Sequence, residues 1–234
     1  EFSICHGKND LGQMKILFRK YIPLLYSITA YFSCFVAVQA EKIIYILGGN
    51  NYKEAMIPVV IMAFYPVHQT YGQATGSILF ASGQTKLYRN ISGFFLIIGL
   101  LPTYFLLEPT NWGGLNIGSS GLALKMVIGQ FVAVNVCLYF ICKYLNASFI
   151  KYLGHQIVSL ASFLIIGFAS VFVVDSLLRF TDVLIIKFLI SGLIYSFLAL
   201  FVSLSFPIIL GLTRSEVKSV FVLLKNRLSI IRTE

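Results

Sequence analysis

The sequence has few charged side chains for its length. They make up 12% of the 234 residues, whereas a soluble domain carries about 25%. Acidic residues are the scarcest, at nine against 18 Lys and Arg. Because 58% of the side chains are hydrophobic, the polar ones could not cover the surface of a soluble protein. The composition excludes an ordinary soluble domain and predicts an all-α integral membrane protein.

The sequence also lacks the common signatures of catalysis and metal binding. It contains no HExxH, GxSxG or P-loop motif and no DxD pair. His6, His68 and His155 are far apart in sequence and in expected depth. The four cysteines lack CxxC spacing, so they are expected to be isolated thiols; they are Cys5, Cys34, Cys137 and Cys142. We therefore expect no catalytic residue, no metal and no cofactor.

Long apolar runs predict six transmembrane helices, because a spanning helix needs about 20 apolar residues. In chain order, predicted helices A to F run near 22–46, 55–82, 88–107, 120–142, 153–174 and 185–210. Short connections predict antiparallel neighbours. The chain starts at Glu1 without a signal-peptide pattern, and we interpret it as a piece of a longer protein. Its expected parts are an N-terminal segment (1–20), a transmembrane lobe (21–211) and a basic tail (212–234).

Basic residues are distributed unequally between the two predicted sides of the membrane. With the N-terminus in the cytoplasm, thirteen of the 18 Lys and Arg lie on that side. The five on the other side are matched by five acidic residues. Since cytoplasmic loops carry an excess of Lys and Arg, both termini are predicted to be cytoplasmic. This asymmetry accounts for the formal net charge of +9 without nucleic acid as a partner.

The C-terminal tail has a pattern of its own. Over 213–232, apolar residues recur at helical spacing and basic residues surround them. This pattern predicts an amphipathic helix that lies on the inner leaflet and binds anionic membrane lipids. A solvated tail is the alternative interpretation.

The connection between predicted helices A and B contains two local signals. Gly48 and Gly49 are expected to end helix A, because glycine tolerates the left-handed conformation found at helix C-termini. Asn51 and Glu54 have capping-box spacing, which predicts the start of helix B.

Predicted helix B has no charged side chain but holds a cluster of polar ones. Gln69, Gln73 and Ser77 repeat every four residues and share one face. Tyr65 and His68 lie beside that stripe. Three interpretations are open: the stripe lines a water-filled cavity that carries substrate, it joins helix B to its neighbours by hydrogen bonds, or His68 relays protons.

Three further residues bear on the packing of predicted helix B. Gly72 and Gly76 form a GxxxG pair, which suits close approach of another helix. Pro66 removes a backbone hydrogen bond and is expected to kink the helix.

Predicted helix D carries Lys125, Gln130 and Asn135. Lys125 lies about one turn inside the outer end, where a lysine either extends its amine to the interface or binds an anionic headgroup. At least one of the two amides is expected to join helices within the bundle.

Two short motifs surround predicted helix B. An apolar stretch ends at a glycine and is followed by Tyr and Ala; its residues are Ile43, Ile44, Ile46, Leu47, Gly48 or Gly49, Tyr52 and Ala55. A small-residue turn then closes the helix, with Leu79, Ala81, Gly83 and Lys86. Over about 40–90, and more loosely through 145, this order resembles the polysaccharide-biosynthesis flippases (O-antigen and capsule repeat-unit transporters). These belong to the multidrug/oligosaccharidyl-lipid/polysaccharide exporter superfamily.

The resemblance implies the C-terminal portion of a two-lobed protein of the bacterial inner membrane, whose N-terminal lobe lies outside this sequence. The implied activity moves lipid-linked oligosaccharide repeat units from the inner to the outer leaflet, for O-antigen of lipopolysaccharide or for capsule. No bond is made or broken. Such flippases are thought to hold substrate in a polar cavity between the lobes. The candidate substrate-path residues are then Tyr65, His68, Gln69, Gln73, Lys125 and Gln130.

Other classes of membrane protein are also compatible with the sequence. A cation-coupled multidrug exporter of the same superfamily would need an intramembrane carboxylate, which these predicted helices lack. A polymerase or ligase of the same pathway would need a sizeable outer loop with catalytic Arg or His. In a non-transporting membrane subunit, the polar stripe would only join helices.

Overall fold

The structure, a computed structural model, describes residues 1–108, 113–179, 183–217 and 219. Over these residues the chain is α-helical and contains no β-strand. The helices are α1 (Phe2–Gly7), α2 (Leu11–Val38), α3 (Ala40–Gly48), α4 (Met56–Met62), α5 (Tyr65–Ala81), α6 (Thr85–Ile98), α7 (Leu100–Leu107), α8 (Gly118–Tyr144), α9 (Phe149–Leu177) and α10 (Leu184–Ser205). Short 3₁₀ helices cover Gly49–Ala55 and Pro207–Leu210.

The predicted all-α membrane fold is confirmed, but six spans are not. Within the described residues, five helical stretches are long and apolar enough to cross a membrane: α2, α6 with α7, α8, α9 and α10. Predicted helix B is not among them, because it is divided into α4 and α5. Pro66 has no N–H to bond the carbonyl of Met62, and it occupies the first turn of α5, where proline is tolerated. The expected kink at Pro66 is therefore an interruption of the hydrogen-bond ladder at residues 63–64, where both residues keep helical backbone angles.

The segment from the start of α2 to the start of α4 differs from the prediction in two details. α2 begins at Leu11, well before residue 22, and the Asp10 carboxylate caps it by accepting from the Gln13 amide at 2.8 Å. Gly49 follows α3 with a φ of 65°, so the predicted end of helix A is confirmed. The predicted capping box is wrong, because Asn51 and Glu54 lie within the 3₁₀ helix that precedes α4.

The core of the bundle lies along α2, which packs between α9 and α5. α8 covers the other side of α5, and α10 covers α9. One face of α2 supplies much of the core, with Met14, Phe18, Ile22, Tyr26, Ala30 and Cys34 all buried. The four cysteines are buried free thiols, as expected. Small residues allow close helix contact; a Cβ on Gly167 of α9 would lie 3.1 Å from Val38.

The bundle has two ends, which we call the basic end and the opposite end. At the basic end, the Lys15 amine donates to the Asn146 carbonyl, so the start of α2 meets the α8–α9 turn. Arg19 also forms an ion pair of 3.1 Å with Glu216. At the opposite end, Lys42 lies 3.7 Å from Asp175. The amphipathic tail predicted over 213–232 lies mostly outside the described residues.

Candidate functional site

The candidate polar residues occupy three separate places on the bundle. The first is an exposed surface of α5, which we call the amide stripe and define as Gln69, Gln73 and Ser77. All three side chains are exposed, whereas Tyr71 and Thr75 on the opposite face of α5 are completely buried. The repeat of four residues did place the stripe on one face, and that face points away from the bundle.

The hydroxyl groups near the amide stripe are satisfied locally. Ser77 donates to the Gln73 carbonyl at 2.8 Å, and Thr70 donates to the Pro66 carbonyl at 2.9 Å. The side-chain amides of Gln69 and Gln73 form no hydrogen bond with the described part of the chain. They therefore do not join α5 to its neighbours within this bundle.

The two glycines of the GxxxG pair contact different helices. A Cβ on Gly72 would lie 3.0 Å from Val134 and 3.3 Å from the Gln130 amide nitrogen, both on α8. A Cβ on Gly76 would lie 3.3 Å from the Tyr88 ring on α6. The pair therefore places α5 close to two neighbours rather than to one.

The second place is a cleft between α8 and the helix formed by α6 and α7, with a volume of about 580 Å³. Tyr65, Lys125 and Gln130 all line it, so the structure brings together three of the six substrate-path candidates. The other lining residues are apolar side chains and glycines. We call this space the Lys125 cleft.

The third place is the bundle core, where His68 is buried with 6% of its surface exposed. Its ring centroid lies 5.0 Å from that of Phe131 and 6.3 Å from that of Tyr26. The Tyr26 ring centroid also lies 6.0 Å from that of His155. The expectation that His68 and His155 lie far apart in depth is therefore wrong, because both flank the same tyrosine.

Two buried polar clusters join residues that are distant in the sequence. The Ser27 hydroxyl lies 2.9 and 2.7 Å from the carbonyl oxygens of Pro23 and Ile209 and donates to one of them at a time. It also lies 3.3 Å from the His155 ring nitrogen. This cluster attaches the segment after α10 to α2. Isolated serines in apolar runs carry no signal of such long-range partners, so the sequence could not pair them.

The second cluster joins α8 to α9 through two amides. The Gln156 side-chain amide nitrogen donates to the Asn135 side-chain oxygen Oδ1 at 3.0 Å. The Asn135 side-chain nitrogen donates back to Gln156 Oε1 at 3.4 Å. The Asn135 amide also donates to the Phe131 carbonyl at 2.8 Å. The prediction that one amide of helix D joins helices is confirmed for Asn135.

These three places differ in what they can do chemically. The amide stripe offers donors and acceptors to a polar ligand or to water, and the Lys125 cleft offers one cation in apolar surroundings. Among the described residues, no group of three or more His, Cys, Asp and Glu side chains is arranged to hold a metal ion. Comparison of the chain with protein-family models, with curated proteins and with solved structures finds no match.

Proposed function

We propose that this chain is part of a membrane transporter that moves a lipid with a polar head, specifically a lipid-linked oligosaccharide, between the two leaflets. The amide stripe is the observation that carries the proposal. Two glutamines expose their amides at the middle of the bundle's length and find no partner in the described chain. An amide facing hydrocarbon without a hydrogen bond costs several kcal/mol, so this face requires water, a polar ligand or another protein unit.

The surroundings of the amide stripe suit a ligand that is polar at one part and apolar at another. The hydroxyl of Thr70 on α5 lies 3.0 Å from the hydroxyl of Thr29 on α2, so α2 borders the amide stripe. On α2, Leu25 and Phe32 flank Thr29 and expose 46% and 60% of their surface. Sugar hydroxyls would bind the amides, while an isoprenoid or acyl chain would contact the apolar side chains.

The barrier to translocation is the cost of taking sugar hydroxyls and a charged phosphate through hydrocarbon. A hydrogen-bonding path across the membrane lowers that cost because each hydroxyl keeps a partner. Movement of this bundle against a second unit would expose the path to each side in turn, as in transporters built from repeated halves. The interruption at residues 63–64 gives α5 a point about which it can move relative to α4.

The first test is the accessibility of the stripe to water. In a cysteine-free background, Gln73→Cys should react with a membrane-impermeant thiol reagent in intact membranes. The matched control is Leu96→Cys on α6, whose side chain is 73% exposed and apolar, and which should stay unlabelled. Equal protection of both cysteines would show that the stripe does not face water.

The second test concerns transport. Gln69→Leu combined with Gln73→Leu in the full-length protein should reduce surface polysaccharide at normal protein levels. An unchanged amount of polysaccharide would remove both residues from the substrate path. If the same variant instead abolishes co-purification of another membrane protein, the chain is a non-transporting subunit and the stripe is its contact surface.

A further inference from the structure

The helix formed by α6 and α7 packs loosely on the bundle. In the apolar 18-residue stretch of this helix no residue is buried. In the corresponding stretch of α2, 44% of the residues are buried. α6 joins α7 at Gly99, whose backbone angles remain helical. This loose packing leaves the Lys125 cleft between that helix and α8.

The Lys125 cleft opens sideways, towards the surroundings of the bundle. Five of its large apolar lining side chains are also exposed on the outside: Leu96, Ile98, Leu124, Ile128 and Val132. In a membrane this outer surface faces hydrocarbon. The space therefore continues into the lipid phase and suits a flexible apolar chain; its volume is within the 300–1,000 Å³ range of small-molecule sites.

Lys125 brings a positive charge to the cleft, and the other residues that line it are uncharged. Its amine lies against the α6–α7 junction, where a Cβ on Gly99 would come within 3.4 Å of Nζ. Within the described residues, no Asp or Glu lies close enough to form an ion pair with it. A half-buried ammonium in apolar surroundings is costly unless an anion or water accompanies it.

We propose that the Lys125 cleft binds a membrane lipid with a phosphate-bearing head, whose phosphate contacts the Lys125 amine and whose chain occupies the apolar part. Tyr65 and Gln130 supply further hydrogen-bonding groups in the same cleft. Lys125 lies seven residues after the start of α8, which is about 10 Å along the helix axis. The lysine stem can bring its amine from that depth to the level of the lipid phosphates.

The length of the cleft supports a lipid rather than a free anion. From Lys125 to Ala133 the cleft follows α8 for eight residues, about 12 Å towards the middle of the bundle. A soluble phosphate would use the amine alone and leave this apolar length empty. A phospholipid uses both, because its charge and its chains are covalently joined. This inference holds whether or not the chain translocates lipid-linked sugars.

Native mass spectrometry of the full chain in detergent tests the proposal. The probes are dioleoylphosphatidic acid and dioleoylglycerol, which share acyl chains and differ by the phosphate. We expect the phosphatidic acid to bind at least 10-fold more tightly. Lys125→Gln should remove this preference, Lys125→Arg should keep it, and Lys53→Gln should leave it unchanged, since Lys53 is an exposed lysine at the same end of the bundle.

A second variant tests the apolar part of the cleft without changing the charge. Ala133→Leu adds volume inside the cleft and should weaken binding of phosphatidic acid, while the thermal unfolding of lipid-free protein confirms that it folds. Equal binding of the two probes by the native chain would overturn the proposal. So would retention of the preference by Lys125→Gln, or full binding by Ala133→Leu, because the lipid would then be bound elsewhere.

Discussion

Replacing Asn135 with leucine should destabilise the bundle by about 1–4 kcal/mol. The change removes both interhelical hydrogen bonds between Asn135 and Gln156, at 3.0 and 3.4 Å, and keeps a similar side-chain volume. Interhelical bonds in membranes average about 0.6 kcal/mol each, so the two account for about 1.2 kcal/mol. Gln156 is only 2% exposed, so its amide is left without a partner, which adds about 1–3 kcal/mol when it cannot relax towards water.

A double-mutant cycle separates these two contributions. Asn135→Leu combined with Gln156→Leu should cost less than the sum of the two single changes, with a coupling energy of about 1 kcal/mol or more. The measurement is reversible unfolding in mixed micelles, and Gln69→Leu serves as the control because that amide has no partner in the described chain. Additive effects of the two substitutions would refute the reciprocal amide pair.

Two more predictions follow from the segment after α10, which contacts α2 at the basic end. Gly211 has a φ of 68°, and a Cβ there would collide with Pro23, whereas Gly83 has a φ of 73° and open space around it. Gly211→Ala should therefore lower the thermal unfolding midpoint more than Gly83→Ala, and equal shifts would show that backbone strain alone is responsible. Hydrogen bonds from the Thr213 amide and hydroxyl, with Arg19 nearby, hold the pKa of Glu216 below its ordinary value of 4.5. Because the folded-state pKa is lowered, this stabilisation is present above pH 4.5 and is lost as the pH falls through the folded value. Glu216→Gln should remove that part of the pH dependence of thermal unfolding, which lies below pH 4.5, and an unchanged profile would contradict it.

Composition and periodicity predicted the fold class and the approximate position of most helices, because both depend on local hydrophobicity. They did not predict the division of helix B, since Pro66 is compatible with either a kinked helix or a new helix start. The stripe of Gln69 and Gln73 followed from helical spacing, but its outward direction depends on which neighbours α5 meets. The convergence of Tyr65, Lys125 and Gln130 is also a tertiary property, because three residues from two helices meet only after packing.

The interruption at residues 63–64 has a mechanical consequence for the whole bundle. A continuous helix transmits torque along its axis through an unbroken ladder of hydrogen bonds, and Pro66 removes one rung of that ladder. Because that rung is missing, α5 and α4 are coupled less stiffly than two halves of a continuous helix would be. Rotation of α5 therefore reaches α4, and the segment Gly49–Ala55 that precedes it, only in part.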